Sequence, residues 1–421
     1  MNIEKSLDNG TNMNPPRSGH VAFQLDEKIY VFGGYAEERA KDGDVKRYPT
    51  NDLWCFQPTK EGSDSKKNEW KLVQRAASNS SSSPSQQPRN RLAAASVACK
   101  LNSGSVGVIL GGWDSGIAGT GGEILKDVQI FDTSNADESS SNKESNSGWR
   151  ELSIDLEQPT SRLCALSLNL NGENDDTILI HNHRCTDHVL LLDLQSMTLK
   201  KQPVSGSVPS ARGLHACARL SNNKIVLFGG AAQDGTMSNE VFLLDLDTWV
   251  WGKCRNTVAG TEEQIANEEE NDDTNATTLP SARAAPCFVA LDTNSCLLYG
   301  GASVSNTGGL HGCSDTWVLE LIPDDDDSDL TLAVWTRMNQ DGSPQAPPGR
   351  NAATLMPLPS SSFLANNEDN GADTNKKEND NETTQHFLLS GGWYPFRKTY
   401  DDNFVLRVTK KNLGLHKVVS Q

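Results

Sequence analysis

Five times along the chain an apolar run ends in a pair of glycines: KIYVFGG (28–34), GVILGG (107–112), KIVLFGG (224–230), CLLYGG (296–301) and FLLSGG (387–392). A phrase that recurs in this way marks an internal repeat, which constrains the architecture more than any single motif can. Each copy follows an arginine-bearing start: PPRSGHVAF (15–23), NRLAAASVA (90–98), SARGLHACA (210–218), SARAAPCFV (281–289) and GRNAATLM (349–356). Each is followed by a polar loop and a short apolar run with a polar or acidic opening: NDLWCF (51–56), KDVQIF (126–131), NEVFLLDL (239–246), SDTWVLEL (314–321) and DDNFVLRV (401–408). A fourth run often carries tryptophan, as in EWKLV (69–73), GWREL (148–152), VWGKC (250–254) and VWTRM (334–338). Four short runs per unit, separated by turn residues, read as a four-stranded meander. One such sheet has two apolar faces and cannot bury both alone. Units therefore stack, and stacking around an axis closes the array and protects the strand edges.

The double-glycine strand end, the polar or acidic opening of the third strand and the tryptophan of the fourth resemble the kelch repeat. The resemblance covers the chain from about Arg17 to about Val419, apart from polar inserts. Between the second and third glycine pairs, residues 159–204 supply one more unit, in which PTSR aligns with PSAR, DHVLLLDL with NEVFLLDL, and His181 and Asn182 with Gly-Gly. Its tryptophan is missing, with Leu199 in the corresponding place. The expected fold is all-β: a six-bladed kelch-type β-propeller with disordered polar inserts between strands. Residues 1–16 form a flexible tail and 17–421 a single propeller, with blades at about 17–73, 89–152, 160–203, 210–254, 281–338 and 348–419. LGLHKVV (413–419) is the expected last strand, so that the ring closes without a strand borrowed from the amino terminus.

The inserts are 59–68, 78–88, 135–147, 256–278, 323–329 and 360–385, all poor in apolar residues. Runs such as DDDDSD (324–329) contribute to a net charge of −17, which repels nucleic acid and anionic membranes. The first sixteen residues lack an apolar signal core, and no apolar run is long enough to cross a bilayer. Nine cysteines without CxxC pairs, several within apolar runs (Cys99, Cys217, Cys287), read as reduced, buried small residues. The expectation is a cytoplasmic or nuclear monomer that binds neither nucleic acid nor membrane.

An arginine opens the first strand of every unit: Arg17, Arg91, Arg162, Arg212, Arg283 and Arg350. The first strand is innermost in a propeller, so these side chains are expected to ring one mouth of the central channel. There they either grip a carboxylate or phosphate, as the resemblance suggests, or hold the blades together. The loops between second and third strands share a face with the interblade connections. Several carry aromatics, among them Tyr35, Trp113, Trp393 and Tyr394, of the kind that anchor protein interfaces. The resemblance implies a protein-binding scaffold or adaptor that takes another protein, through an acidic or otherwise anionic segment, on this loop face. The alternative is a small-molecule enzyme of isomerase, lyase or oxidase type at the channel mouth. No catalytic residue, cofactor or metal ligand is assigned, since no nucleophile, metal or nucleotide fingerprint sits on a suitable frame.

HNHRCTDH (181–188) concentrates three histidines and a cysteine. Within the repeat it is a degenerate glycine corner followed by the shortest loop of its kind. A tight hairpin presents too few of these side chains together for zinc. The expectation is a notch in the loop rim at the third blade, edged by histidines that could respond to pH.

Overall fold

The computed structural model describes residues 13, 15–58, 69–76, 87–102, 104–116, 121–135, 148–168, 176–221, 223–259, 279–324, 330–338, 346–359, 383–410 and 416–420. Most of the polar inserts, and all of the 1–16 tail except Met13, Pro15 and Pro16, lie outside the described residues.

Six antiparallel sheets form a closed β-propeller. From the innermost strand outward, the first blade runs Val21–Leu25, Lys28–Arg39, Val45–Gln57 and Glu69–Gln74. The second runs Ala95–Leu101, Gly104–Asp114, Glu123–Phe131 and Trp149–Glu151. Cys164–Leu168, Thr177–His181, His188–Asp193 and Thr198–Pro203 make the third. The fourth contains Ala216–Leu220, Lys224–Phe228, Val241–Asp245 and Val250–Lys253. Cys287–Ala290, Ser295–Tyr299, Thr316–Pro323 and Thr331–Met338 form the fifth, and Thr354–Pro357, Thr383–Ser390, Asn403–Lys410 and His416–Ser420 the sixth. The sixth blade therefore takes its outermost strand from its own sequence. Among the described residues no helix is long and apolar enough to cross a membrane.

Two blades gain an outer strand from the connection before them. Ser205–Gly206 pairs in parallel with Val250–Lys253, and Arg255–Val258 with Thr331–Met338. The second of these strands includes the start of the segment that the sequence assigned to a polar insert.

The second strands explain why the blades must stack. In an extended run successive side chains point to opposite faces, so a continuously apolar strand is buried on both sides only when neighbours cover both. Ile29 and Val31 enter the cluster between blades six and one, whereas Tyr30 and Phe32 enter the cluster between blades one and two. The same division gives six buried apolar clusters, one per seam. Met13, expected in the free tail, is 1% exposed and belongs to the seam between blades six and one. Trp70, Trp149 and Trp335 are buried, and each indole donates to a side chain beyond its own four strands: Asn403, Gln74 and Asn256 respectively. Leu199 pairs with Leu192 as Trp251 pairs with Leu244, which confirms its place as the missing tryptophan.

Around the axis, one residue per blade donates its N–H to the preceding blade: Ala93 to Gly19, Arg162 to Ala93, Leu214 to Arg162, Ala285 to Leu214, Ala352 to Ala285 and Gly19 to Ala352, at 2.7–3.2 Å. These six bonds close on themselves and define equivalent positions in all blades.

Candidate functional site

Counted from that ring, the residue two positions earlier is Arg17, Arg91, Arg212, Arg283 or Arg350 in five blades. These five residues are at most 3% exposed. Nη1 of each donates to the carbonyl of the first glycine of its blade, Gly33, Gly111, Gly229, Gly300 or Gly391, at 2.8–3.3 Å. Each guanidinium also pairs at 2.6–2.8 Å with the acid that opens the third strand: Asp52, Asp127, Glu240, Asp315 and Asp402. They bind strands within their own blades, so the structure does not gather them into a solvent-facing ring at the channel mouth. The sequence signal for this role was the repeating arginine and the repeating acid, which share a blade.

These pairs give stability a defined pH dependence. Burial alone would raise Asp52, Asp127 and Asp315, but hydrogen bonds and charge from the paired arginines hold all three below the ordinary carboxylate range. For Glu240 burial is likewise outweighed, by hydrogen bonds from Lys253, Arg212 and Ser238, and the group comes down to about 2. Burial pushes His20 down to about 3, helped by the Arg17 charge, and His386 down to about 4, helped by Arg407. All these groups bind fewer protons folded than unfolded, so stability is lost as pH falls. The decline should begin below the ordinary histidine value of 6.5 and steepen below the ordinary carboxylate value of about 4. Each histidine that stays neutral costs at most about 1.4 kcal/mol per pH unit. Denaturant midpoints measured from pH 7 to 3 test this, and a flat profile between pH 7 and 5 contradicts the histidine contribution.

The third blade departs from the pattern. Gly112 N–H donates to Thr160 O at 2.9 Å, the bond that Gly34, Gly230, Gly301 and Gly392 make to the carbonyls of Arg91, Arg283, Arg350 and Arg17. Thr160 therefore occupies the arginine position. Arg162, aligned with the other arginines in the sequence, stands two residues later, on the ring itself, and is exposed. The glycine corner also shifts by one residue. His181 pairs with Cys164 as Phe228 pairs with Ala216, so Asn182 and His183, rather than His181 and Asn182, replace Gly-Gly. His188 falls at the position of the third-strand acid, since it precedes Val189 as Glu240 precedes Val241.

With threonine and histidine in place of arginine and acid, a cavity of about 390 Å³ opens, lined among others by Glu157, Thr160, Asn182, Arg184, His188 and Lys201. Lys201 pairs with Glu157 at 3.0 Å, and His188 Nδ1 lies 2.6 Å from Asp187. Arg184 has no carboxylate partner among the described residues. Its Nη1 makes only long contacts, 3.4 Å to Pro159 O and 3.4 Å to Thr160 Oγ1. The octapeptide does not converge on one point: His181 is buried in a seam, His183 is exposed, and the Cys185 thiol turns back to Asn182 N and Ile180 O.

The aromatic loops lie on the same face. Tyr35, Trp113, Trp393 and Tyr394 are half-buried. Trp113 Nε1 folds back onto Gly121 O at 3.2 Å, whereas Phe396, which packs edge-on against Trp393, is 76% exposed. A second cavity of about 620 Å³ lies between the loops of blades six and one, lined by Glu37, Arg39, Arg397 and Lys398. Its cations Arg397 and Lys398 lie over the rings of Tyr394 and Tyr400. His20 and His215 occupy equivalent positions and each turns into the seam with the preceding blade, where His20 meets Thr354 Oγ1 at 3.1 Å and His215 meets His181 at 3.0 Å.

Residues 171–358 match the KLHDC2/KLHL20/DRC7 Kelch-repeats domain, and residues 16–75 match the Kelch motif. Over 73 residues the chain is 38% identical to Kelch domain-containing protein 2 of Bos taurus, covering 17% of this chain and 18% of that protein. Over 69 residues it is 35% identical to Dynein regulatory complex subunit 7 of Chlamydomonas reinhardtii, covering 16% and 6%. The matched segments thus span less than a fifth of either relative. The solved structure of YjhT superposes with a TM-score of 0.57 at 12% identity, covering 99% of both chains, and shares the fold. Repeat phrase, six-bladed ring and family matches agree: the chain belongs to the kelch-repeat β-propeller family.

Proposed function

We propose that this chain is a protein-recognition scaffold or adaptor, acting as a monomer in the cytoplasm or nucleus, whose loop face takes an acidic segment of a partner protein. The third-blade notch is its anchoring point. The observation that carries this reading is the cavity left where the arginine and acid of the other five blades are replaced, with Arg184 at its wall and without an ion-pair partner among the described residues, the cavity's own Glu157 being held by Lys201. A guanidinium so placed is a ready partner for an incoming carboxylate, which it can take in two parallel hydrogen bonds. Exposed Phe396 on the same face offers an aromatic anchor of the kind found at interface hot spots. One relative is by name a subunit of a multiprotein complex, in keeping with a role in assembly.

The charge on Arg184 tests the reading. A partner co-purified from the native cell and titrated against purified chain should bind R184E at least tenfold more weakly, about 1.4 kcal/mol. Arg150→Glu, on an exposed outer strand of the second blade, should bind as the parent does. Equal affinity for R184E and the parent counts against the notch.

A further inference from the structure

The innermost strands of the third and fourth blades bring together three metal-ligating side chains that are remote in sequence. Cys164 comes from one strand, Cys217 from the other and His215 from the residue just before it. One ligand atom of each lies within 4.8 Å of the other two, the one such group of three or more among the described residues.

Local packing explains why the group exists. At two other seams a bulky residue just before the glycine corner faces an alanine of the next blade, as Phe32 does Ala94 and Tyr299 does Ala353. At this seam both positions are histidine. His181 Nδ1 and His215 Nε2 lie 3.0 Å apart with their rings edge-on. A proton on His215 Nε2 that is donated to His181 Nδ1 leaves the lone pair of His215 Nδ1 free. That nitrogen is buried and has no hydrogen-bond partner among the described residues. Beside it, Cys164 Sγ lies 3.0 Å from His215 O.

We propose that Cys164, Cys217 and His215 bind one Zn²⁺ ion. Two thiolates and one imidazole are a soft donor set suited to this cation, and three protein ligands leave a fourth position for water or an incoming donor. Two thiolates also neutralise the divalent charge, so the filled site carries no net charge into a largely apolar seam. The bond between His215 and His181 supplies the second contact by which a ligating imidazole is normally held in orientation. Cys164 and Cys217 are partly exposed, which gives the ion a way in. This site is independent of the notch and of partner binding.

The test uses the reduced full-length chain, loaded with Zn²⁺ and freed of excess metal. One equivalent per chain should be retained by the parent and by Cys313→Ser, whose thiol lies in the fifth blade, and occupancy should fall at least tenfold in C164S and C217S. Because a variant can fail to fold, Co²⁺ is titrated into the parent itself. Intense visible bands of a tetrahedral site and a thiolate-to-cobalt charge-transfer band in the near ultraviolet are expected. Absence of both bands with substoichiometric zinc in the parent overturns the proposal, as does full zinc retention by the C164S/C217S double variant.

Discussion

Asp315→Ala should destabilise the chain by about 3–5 kcal/mol, the typical cost of stripping one partner from a buried ion pair. Arg283 is fully buried, and its two terminal nitrogens meet the two Asp315 oxygens at 2.7 and 2.8 Å. The same guanidinium holds Gly300 O at 2.9 Å and Ser281 O at 3.0 Å, so it cannot swing out to water without releasing the glycine corner and the start of the first strand. Removing the carboxylate leaves the buried guanidinium without its ion-pair partner and orphans Trp317 Nε1, which donates to Asp315 at 2.7 Å. A double variant, R283M with D315L, should recover much of the loss, because apolar groups of similar size need no pairing. Urea midpoints of the parent, the single variant and the double variant measure this. A loss below about 1 kcal/mol for D315A would put the pair among exposed ion pairs, whose contribution is that small.

Gly300→Ala should cost roughly 2–4 kcal/mol. Gly300 sits at φ +67, where a side chain adds about 1–2 kcal/mol of strain. A Cβ there would also lie 2.5 Å from Arg350 O, a backbone atom of the next blade that cannot simply rotate away. That carbonyl accepts from Gly301 N–H at 2.9 Å, so displacing it also weakens a hydrogen bond across the seam, worth about 1 kcal/mol. Gly308→Ala separates the two contributions. Its φ is +84, but no atom lies within 4 Å of the added carbon, so it should show the strain alone. Equal losses for the two variants would mean that the seam does not depend on the glycine.

The repeat made the strands and the blade number legible, because apolar runs and turn residues report directly on burial and chain reversal. It also assigned Leu199 correctly, since the flanking strands fixed its register. Registration of the third blade was not legible. Its first strand follows a single arginine and its corner has no glycine pair, and it takes the axial ring bonds together with the bond from Gly112 to Thr160 O to show that Arg162 stands on the ring and leaves the arginine position to Thr160. The arginines looked like a ligand ring because their common position was visible while the direction of their side chains was not. Pairing with the third-strand acids crosses 28 to 52 residues of sequence. The added strand Arg255–Val258 hid in a polar segment because an outer strand needs backbone bonds more than apolar side chains. Met13 gave no periodic signal at all. Cys164, His215 and Cys217 come from two blades, and sequence spacing does not reveal contacts across a seam; the cysteine and histidines of HNHRCTDH drew attention to a nearby segment instead.

Recognition through the third-blade notch is the central claim, and hydrogen exchange on the chain with and without its co-purified partner tests it most directly. Slowed exchange should appear in the segments that line the cavity, around residues 156–160 and 182–190. Protection confined to the outer strands or to the opposite face of the propeller, with these segments unchanged, would contradict it.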